Sequence, residues 1–270
     1  MNKKIIFLMF LSVFTISACA PTYPKGSVTT AVEKILQKEE KLESKATLMG
    51  KTLYLDMQLP ELSEFKTEIK QQSMKRLQAA ILATMRVALS SDEKINFIVI
   101  NAVVPKLNIG IKVVQMVNDI KWYIYQRISK ANYEDRMIFE IAPLDKINPD
   151  VKTDLNEQEY LASMIVSQVN MMTRVNPFIG SALNNAKLQL ESVKANSITL
   201  SVSDEINPEI FAFWQKAIKE KINKVLEFYD NWRPESITLY DRNGKSFEVK
   251  LDGAELKVVQ KKLNTKSVDR

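Results

Sequence analysis

No histidine occurs in the 270 residues of this chain, and cysteine occurs once, as Cys19. Without imidazole there can be no Ser-His-Asp or Cys-His arrangement, because the base is missing. Zinc sites assembled from His and Cys are excluded on the same ground. A lone thiol cannot close an intramolecular disulfide, even in an oxidising compartment. A run long enough to span a bilayer is lacking too. The apolar stretch Ile5–Ile16 has twelve residues, short of the roughly 18 a membrane-crossing helix needs and within the about 7–15 of a signal h-region. Charge of one sign is nowhere concentrated. Most lysines alternate with glutamates, so the formal net charge of +6 reads as solvated surface and not as a nucleic-acid footprint.

What is present starts with MNKKIIFLMFLSVFTISACA: Lys3 and Lys4 lead into the apolar run, and Ile16-Ser17-Ala18-Cys19 closes it. This segment resembles a bacterial lipoprotein signal peptide, with Ile16, Ser17 and Ala18 as the lipobox before the cleavage point. The resemblance covers the first twenty residues. It implies removal of residues 1–18, a diacylglyceryl thioether on Cys19, and further acylation (palmitate) of the new N-terminus. Two or more acyl chains anchor firmly where one binds only reversibly. Lipoproteins kept in the inner membrane of Gram-negative cells typically have Asp after the cysteine. Ala20 stands there, so the resemblance implies the outer membrane, facing the periplasm. The competing reading is an ordinary secretory signal with a fortuitous cysteine. Loss of residues 1–18 lowers the formal charge by two, from +6 to +4, and acylation of Cys19 leaves no free thiol.

Beyond the signal, composition and periodicity predict an α+β chain: antiparallel sheets in two layers, with long amphipathic helices packed on them. Residues 19–27, with Pro21, Pro24 and Gly26, read as a tether. A first unit is expected over 28–142 and a second over 157–270. The segment 143–156, with two prolines and little apolar periodicity, reads as the linker. Thr30-Ala31-Val32-Glu33 has the capping-box form of a helix start. Residues 52–59 alternate cleanly, with Leu53, Leu55, Met57 and Leu59 on one side, the mark of a half-buried strand. A long helix is predicted from Leu62 to Ser90, and strands over 95–104, 109–117 and 136–141. In the second half, helices are expected over 157–174 and from Asn207-Pro208-Glu209 onward, where Asn is the cap. Hairpins are expected over 187–202 and 237–251, the latter turning at Asn243-Gly244. The basic end after Lys257 is expected to fray. Both halves thus read hairpin–helix–hairpin, which suggests a duplicated ββαββ unit.

Chemistry-bearing patterns are few. Ser91-Asp92-Glu93-Lys94 has the S-x-x-K spacing, but it closes a helix instead of opening one, and no Lys-Thr-Gly partner exists. Asp56, Glu61, Glu140 and Asp241 are carboxylates at strand or loop edges that a glycan hydrolase would need in pairs. Asp150, Asp154, Asn156 and Glu157 lack the calcium-loop order, and helix capping explains them better. Lys121-Trp122-Tyr123-Ile124-Tyr125 is the densest aromatic cluster. Successive helical residues point over more than half the circumference, so Trp122, Tyr123 and Tyr125 cannot share one core face. They are the candidates for contact with a partner or the membrane interface. The sequence therefore predicts a lipid-anchored envelope protein without catalytic centre, cofactor or metal, which binds or scaffolds protein partners through strand edges or aromatic helix faces, and no nucleic acid. Two other classes stay open: a carrier or sensor of a small apolar or lipid ligand, and a His-independent cell-wall glycan hydrolase.

Overall fold

In the computed structural model of the chain, residues 23–24, 26–59, 67–144, 152–175, 186–194, 197–226, 229, 232, 234–252 and 255–259 are described. The chain divides into two units, Met1–Asp154 and Leu155–Arg270. Both are α+β.

The first unit opens with helix α1 (Val28–Ile35), prolonged by a wider turn over Leu36–Glu40. Strands β1 (Ser44–Met49) and β2 (Thr52–Gln58) form a hairpin. Helix α2 (Thr67–Ser90) follows, then β3 (Phe97–Val104) and β4 (Ile109–Met116), a second hairpin. Two short helices, α3 (Val117–Ile124) and α4 (Lys130–Glu134), precede β5 (Ile138–Pro143). The sheet order is β1-β2-β3-β4-β5.

Of the four joints in this sheet three are antiparallel, and β2 and β3 run parallel. The reason is topological. A hairpin reverses the chain within a few residues, but α2 carries it back along the sheet, so β3 must start at the end where β2 started. The central strands are covered on both faces: Thr52, Tyr54, Phe97 and Val99 are buried on one, and Leu53, Leu55, Ile98 and Ile100 on the other, all four at 0% exposure. Burial of each such side chain contributes about 1.5–3 kcal/mol.

The second unit repeats this order. Helix α5 (Glu157–Val175) precedes the hairpin β6 (Leu188–Lys194) and β7 (Ser197–Val202). Helix α6 (Pro208–Leu226) crosses over, and β8 (Ser236–Tyr240), β9 (Ser246–Asp252) and β10 (Glu255–Val259) complete a sheet ordered β6-β7-β8-β9-β10. The second joint from its first edge, β7 with β8, is again the parallel one. Asn207 caps α6, its Oδ1 accepting from the Ile210 amide at 2.8 Å. Below α6, Ile198, Leu200, Ile237 and Leu239 alternate with more exposed neighbours, and Trp214 is fully buried. The segment expected to fray after Lys257 reaches Val259 as a paired edge strand.

A shared device reinforces the repetition. The first strand of each unit is a sheet edge, and a side chain of the preceding helix occupies its outward backbone groups. Glu33 Oε1 accepts from the Ala46 amide at 2.8 Å. In the second unit the Asn170 amide pairs with Leu188 twice, accepting from its N–H at 2.9 Å and donating to its carbonyl at 2.8 Å. A bulge at Leu190/Ser192 further disrupts β6. Both are ways of closing an edge to foreign strands. Glu33 therefore does not serve a capping box; α1 already begins at Val28 and its carboxylate is committed to β1.

Candidate functional site

Among the described residues the two element orders differ between the fourth and fifth strands. Between β4 and β5 the first unit carries residues 117–137, including α3 and α4, where the second has only Gly253 and Ala254 between β9 and β10. Function tends to be grafted onto such additions while the framework serves stability.

The insertion is held by a buried ion pair. Arg136 Nη1 donates to Asp119 Oδ1 at 3.1 Å, and the two side chains are 7% and 2% exposed. Removing one partner of such a pair leaves an uncompensated charge, so the pair joins the start of α3 to the chain after α4. Aromatic rings pack around it. The Trp122 ring lies 5.7 Å from the Arg136 guanidinium carbon, a cation–π contact. Tyr123 stacks on Tyr133 with centroids 4.9 Å apart and planes 8° from parallel. The Tyr133 hydroxyl faces Met85 Sδ of α2 at 3.8 Å, and burial, followed by the nearby Asp119 charge, holds its phenol above the ordinary tyrosine range.

α3 ends in a Schellman motif. The Arg127 amide donates to the Trp122 carbonyl at 2.8 Å and the Gln126 amide to the Tyr123 carbonyl at 3.0 Å, with Gln126 left-handed at φ +56°. Ser129 then caps α4 by accepting from the Asn132 amide. This abrupt stop leaves Tyr125 and Ile124 at the tip, 71% and 51% exposed. Of the aromatic candidates, Trp122 and Tyr123 are thus half-buried against the ion pair and Tyr133, and Tyr125 faces solvent. Tyrosine is one of the residue types enriched in protein contact sites. Asp119, Arg136 and Tyr133 did not stand out in the sequence. They lie up to 17 residues apart, and only the path of the insertion brings them together.

The carboxylates have other partners. Register aligns Lys45, Asp56, Asn101, Lys112 and Glu140 in one row across all five strands of the first sheet. Asp56 Oδ2 pairs with Lys152 Nζ at 2.8 Å and its Oδ1 accepts from Asn101 Nδ2 at 2.9 Å. Glu140 is exposed, beside Lys112 in the row. Asp241 in the second unit folds its own turn, Oδ1 accepting from the Asn243 and Lys245 amides. Glu61 lies outside the described residues, as do Cys19, Ile16, Ser17 and Ala18. Ser91 Oγ accepts from the Glu93 amide in the loop after α2, so the S-x-x-K spacing makes a local turn. Asp154 Oδ1 accepts from the Lys51 amide and the Thr52 hydroxyl, and Asn156 caps α5 through the Glu159 amide.

An open groove of about 260 Å³ lies between α1 and β1, lined by Glu33, Lys34, Gln37, Leu42, Glu43 and Ser44. Five of the six lining residues are polar or charged, yet the surface they turn to the groove is mostly carbon, and the groove lies open to solvent. Among the described residues no group of three or more Cys, Asp or Glu is placed to hold a metal ion, and no helix is long and apolar enough to cross a membrane. No known family model matches the sequence, and no curated protein matches it either.

Proposed function

We propose that this chain is a bacterial envelope lipoprotein, anchored through acylated Cys19 and probed by its partners at the α3 tip, with a binding or scaffolding role in place of catalysis. The outer membrane, facing the periplasm, is its place. The address rests on Ile16-Ser17-Ala18-Cys19 closing a twelve-residue apolar run. The binding role rests chiefly on one observation: the insertion that distinguishes the first unit from the second ends in exposed Ile124 and Tyr125. Edge strands β1 and β6 carry side chains of the preceding helix, Glu33 and Asn170, on their outward backbone groups, which makes these two edges poor contact surfaces. Burying two such side chains in a partner contributes about 1.5–3 kcal/mol each.

Two experiments test the reading. Radiolabelled palmitate should enter the wild-type chain and not Cys19→Ser; equal labelling of both removes the anchor. A photo-crosslinking residue at position 125 should give a discrete adduct in intact cells, and one at exposed Lys75 of α2 should not. The absence of an adduct at 125, or the same adducts at both positions, overturns the binding surface.

A further inference from the structure

The first of the described residues joins the fold only four positions after the acylated cysteine of the proposed lipoprotein. Tyr23 forms an isolated parallel bridge with Ser91: its amide donates to the Ser90 carbonyl, and the Asp92 amide donates to its own carbonyl, each at 3.3 Å. Its ring lies beside Arg86, which pairs with Glu39 at 2.8 Å. Behind it, Ser27 folds back on Pro24 through both its amide and its hydroxyl, at 3.0 and 2.7 Å, before α1 begins. The expected tether of residues 19–27 is therefore fixed from Tyr23 onward. Only Ala20, Pro21 and Thr22 separate Cys19 from the pin.

Four residue steps at about 3.6 Å each reach at most about 14 Å, and crossing one headgroup layer takes up roughly 5–8 Å of that. The remainder, less than about 10 Å, is shorter than the first unit itself. β3 alone, eight residues long, measures about 26 Å at its usual rise. A tether free as far as Val28 would reach about 32 Å by the same measure and would fix no orientation.

The sheet has two distinct ends. At one end lie Tyr23, the 91–96 loop, the β1–β2 turn, whose Lys51 carbonyl accepts from the Asn96 and Phe97 amides, and the root of the 117–137 insertion, whose Val117 amide donates to the Asn96 carbonyl, so the proposed partner site is rooted on this same end. At the other lies the turn Pro105–Leu107 with Asn108. We propose that the first end is a membrane-contacting surface: the short leash holds Tyr23, Asp92 and the Gly50–Lys51 turn at the lipid headgroups and presents the 105–108 turn away from them. The partner is the bilayer carrying the anchor. This rests on the lipoprotein reading above and adds an orientation to it.

The test uses the full acylated protein in phosphatidylcholine–phosphatidylglycerol vesicles containing a headgroup spin-labelled lipid. Because acylation occupies the chain's one cysteine, a fluorophore can be placed on Asp92→Cys or Leu107→Cys alone, both exposed positions. Quenching should be several-fold stronger at 92 than at 107. Inserting twelve Gly/Ser residues between Ala20 and Pro21 should abolish the difference, and Tyr23→Pro, which removes the amide bonded to Ser90, should reduce it. Equal quenching at both sites, stronger quenching at 107, or indifference to the insertion overturns the orientation. Palmitate incorporation is measured on the same samples. If it is absent the lipoprotein reading falls, whereas normal incorporation with equal quenching sinks only the orientation.

Discussion

Gly50 is the position where one methyl group tests the join between the first hairpin and the strap formed by Lys152, Thr153 and Asp154. Its φ is +57°, so any other residue there meets the left-handed penalty of about 1 kcal/mol. A Cβ would also fall directly on the Asp154 carboxylate. That carboxylate accepts from the Lys51 amide at 2.8 Å and the Thr52 hydroxyl at 3.2 Å. A hydrogen bond to a charged group contributes about 1.5–3 kcal/mol, and the exposed Lys51 end argues for the lower value. Gly50→Ala should then cost about 2.5 kcal/mol, roughly 1 from strain and 1.5 from the displaced carboxylate.

The two contributions separate in a double-mutant cycle. Asp154→Ala alone should cost about 1.5 kcal/mol. Independent effects would add to about 4 kcal/mol, but the collision vanishes once the carboxylate is gone, so the double variant should cost only about 2.5, a coupling of about 1.5 kcal/mol. With two units the chain need not unfold in one step. The readout is therefore native-state hydrogen exchange in peptides covering β2 and β3, which reports the first unit alone. If Gly50→Ala costs the same with and without Asp154, the close approach does not govern this turn and the reasoning fails.

Other expectations follow from the insertion. Gln126→Gly removes the left-handed strain at the end of α3 and should stabilise the first unit by about 0.5–1 kcal/mol in the same exchange measurement; destabilisation would contradict the Schellman geometry. Arg136→Met leaves Asp119 buried without its guanidinium and should cost about 3–5 kcal/mol, with much of the loss recovered on adding Asp119→Leu; equal loss in single and double variants would refute the pairing. The folded state keeps the Tyr133 proton above pH 10, where the unfolded chain releases its own, so folding binds protons there and stability falls as pH rises past about 10. Tyr133→Phe should flatten that alkaline decline in denaturant titrations at pH 9–11, and an unchanged slope would show that another group is responsible.

The strands were legible where local periodicity carries the information. Residues 52–59 alternate, and β2 buries Leu53, Leu55 and Met57 accordingly, but Thr52 and Tyr54 on the opposite face are buried as well, so the strand is not the half-buried one that the alternation predicts. β3 is apolar on both faces and is the central strand. What periodicity cannot encode is register. The row Lys45, Asp56, Asn101, Lys112 and Glu140 is invisible until five strands are aligned, so Asp56 and Glu140 read as loose acids and not as parts of a charge-alternating face. The parallel joint was hidden for the same reason, being a property of the α2 crossover and not of either strand. At the aromatic cluster the sequence showed that three rings could not share a face. It could not show that Asp119 and Arg136 would brace them.

The duplicated topology changes what that cluster means. Two sheets share the same order, the same parallel joint and an edge-closing side chain from the preceding helix, which indicates what this framework needs in order to fold. Glu33 and Asn170 differ in chemistry yet perform one task, so the framework tolerates substitution as long as the edge strand's backbone is satisfied. Residues 117–137 are not among those needs, because the second unit joins β9 to β10 without them. Yet the insertion encloses a desolvated ion pair, a feature that adds little net stability against an apolar substitute and is costly to break. An addition that is dispensable to the framework and internally rigid is better explained by the tip it presents than by the core it joins. The proposed contact therefore rests on Tyr125 and Ile124, the side chains of the insertion that the fold leaves most open to solvent among its large apolar residues.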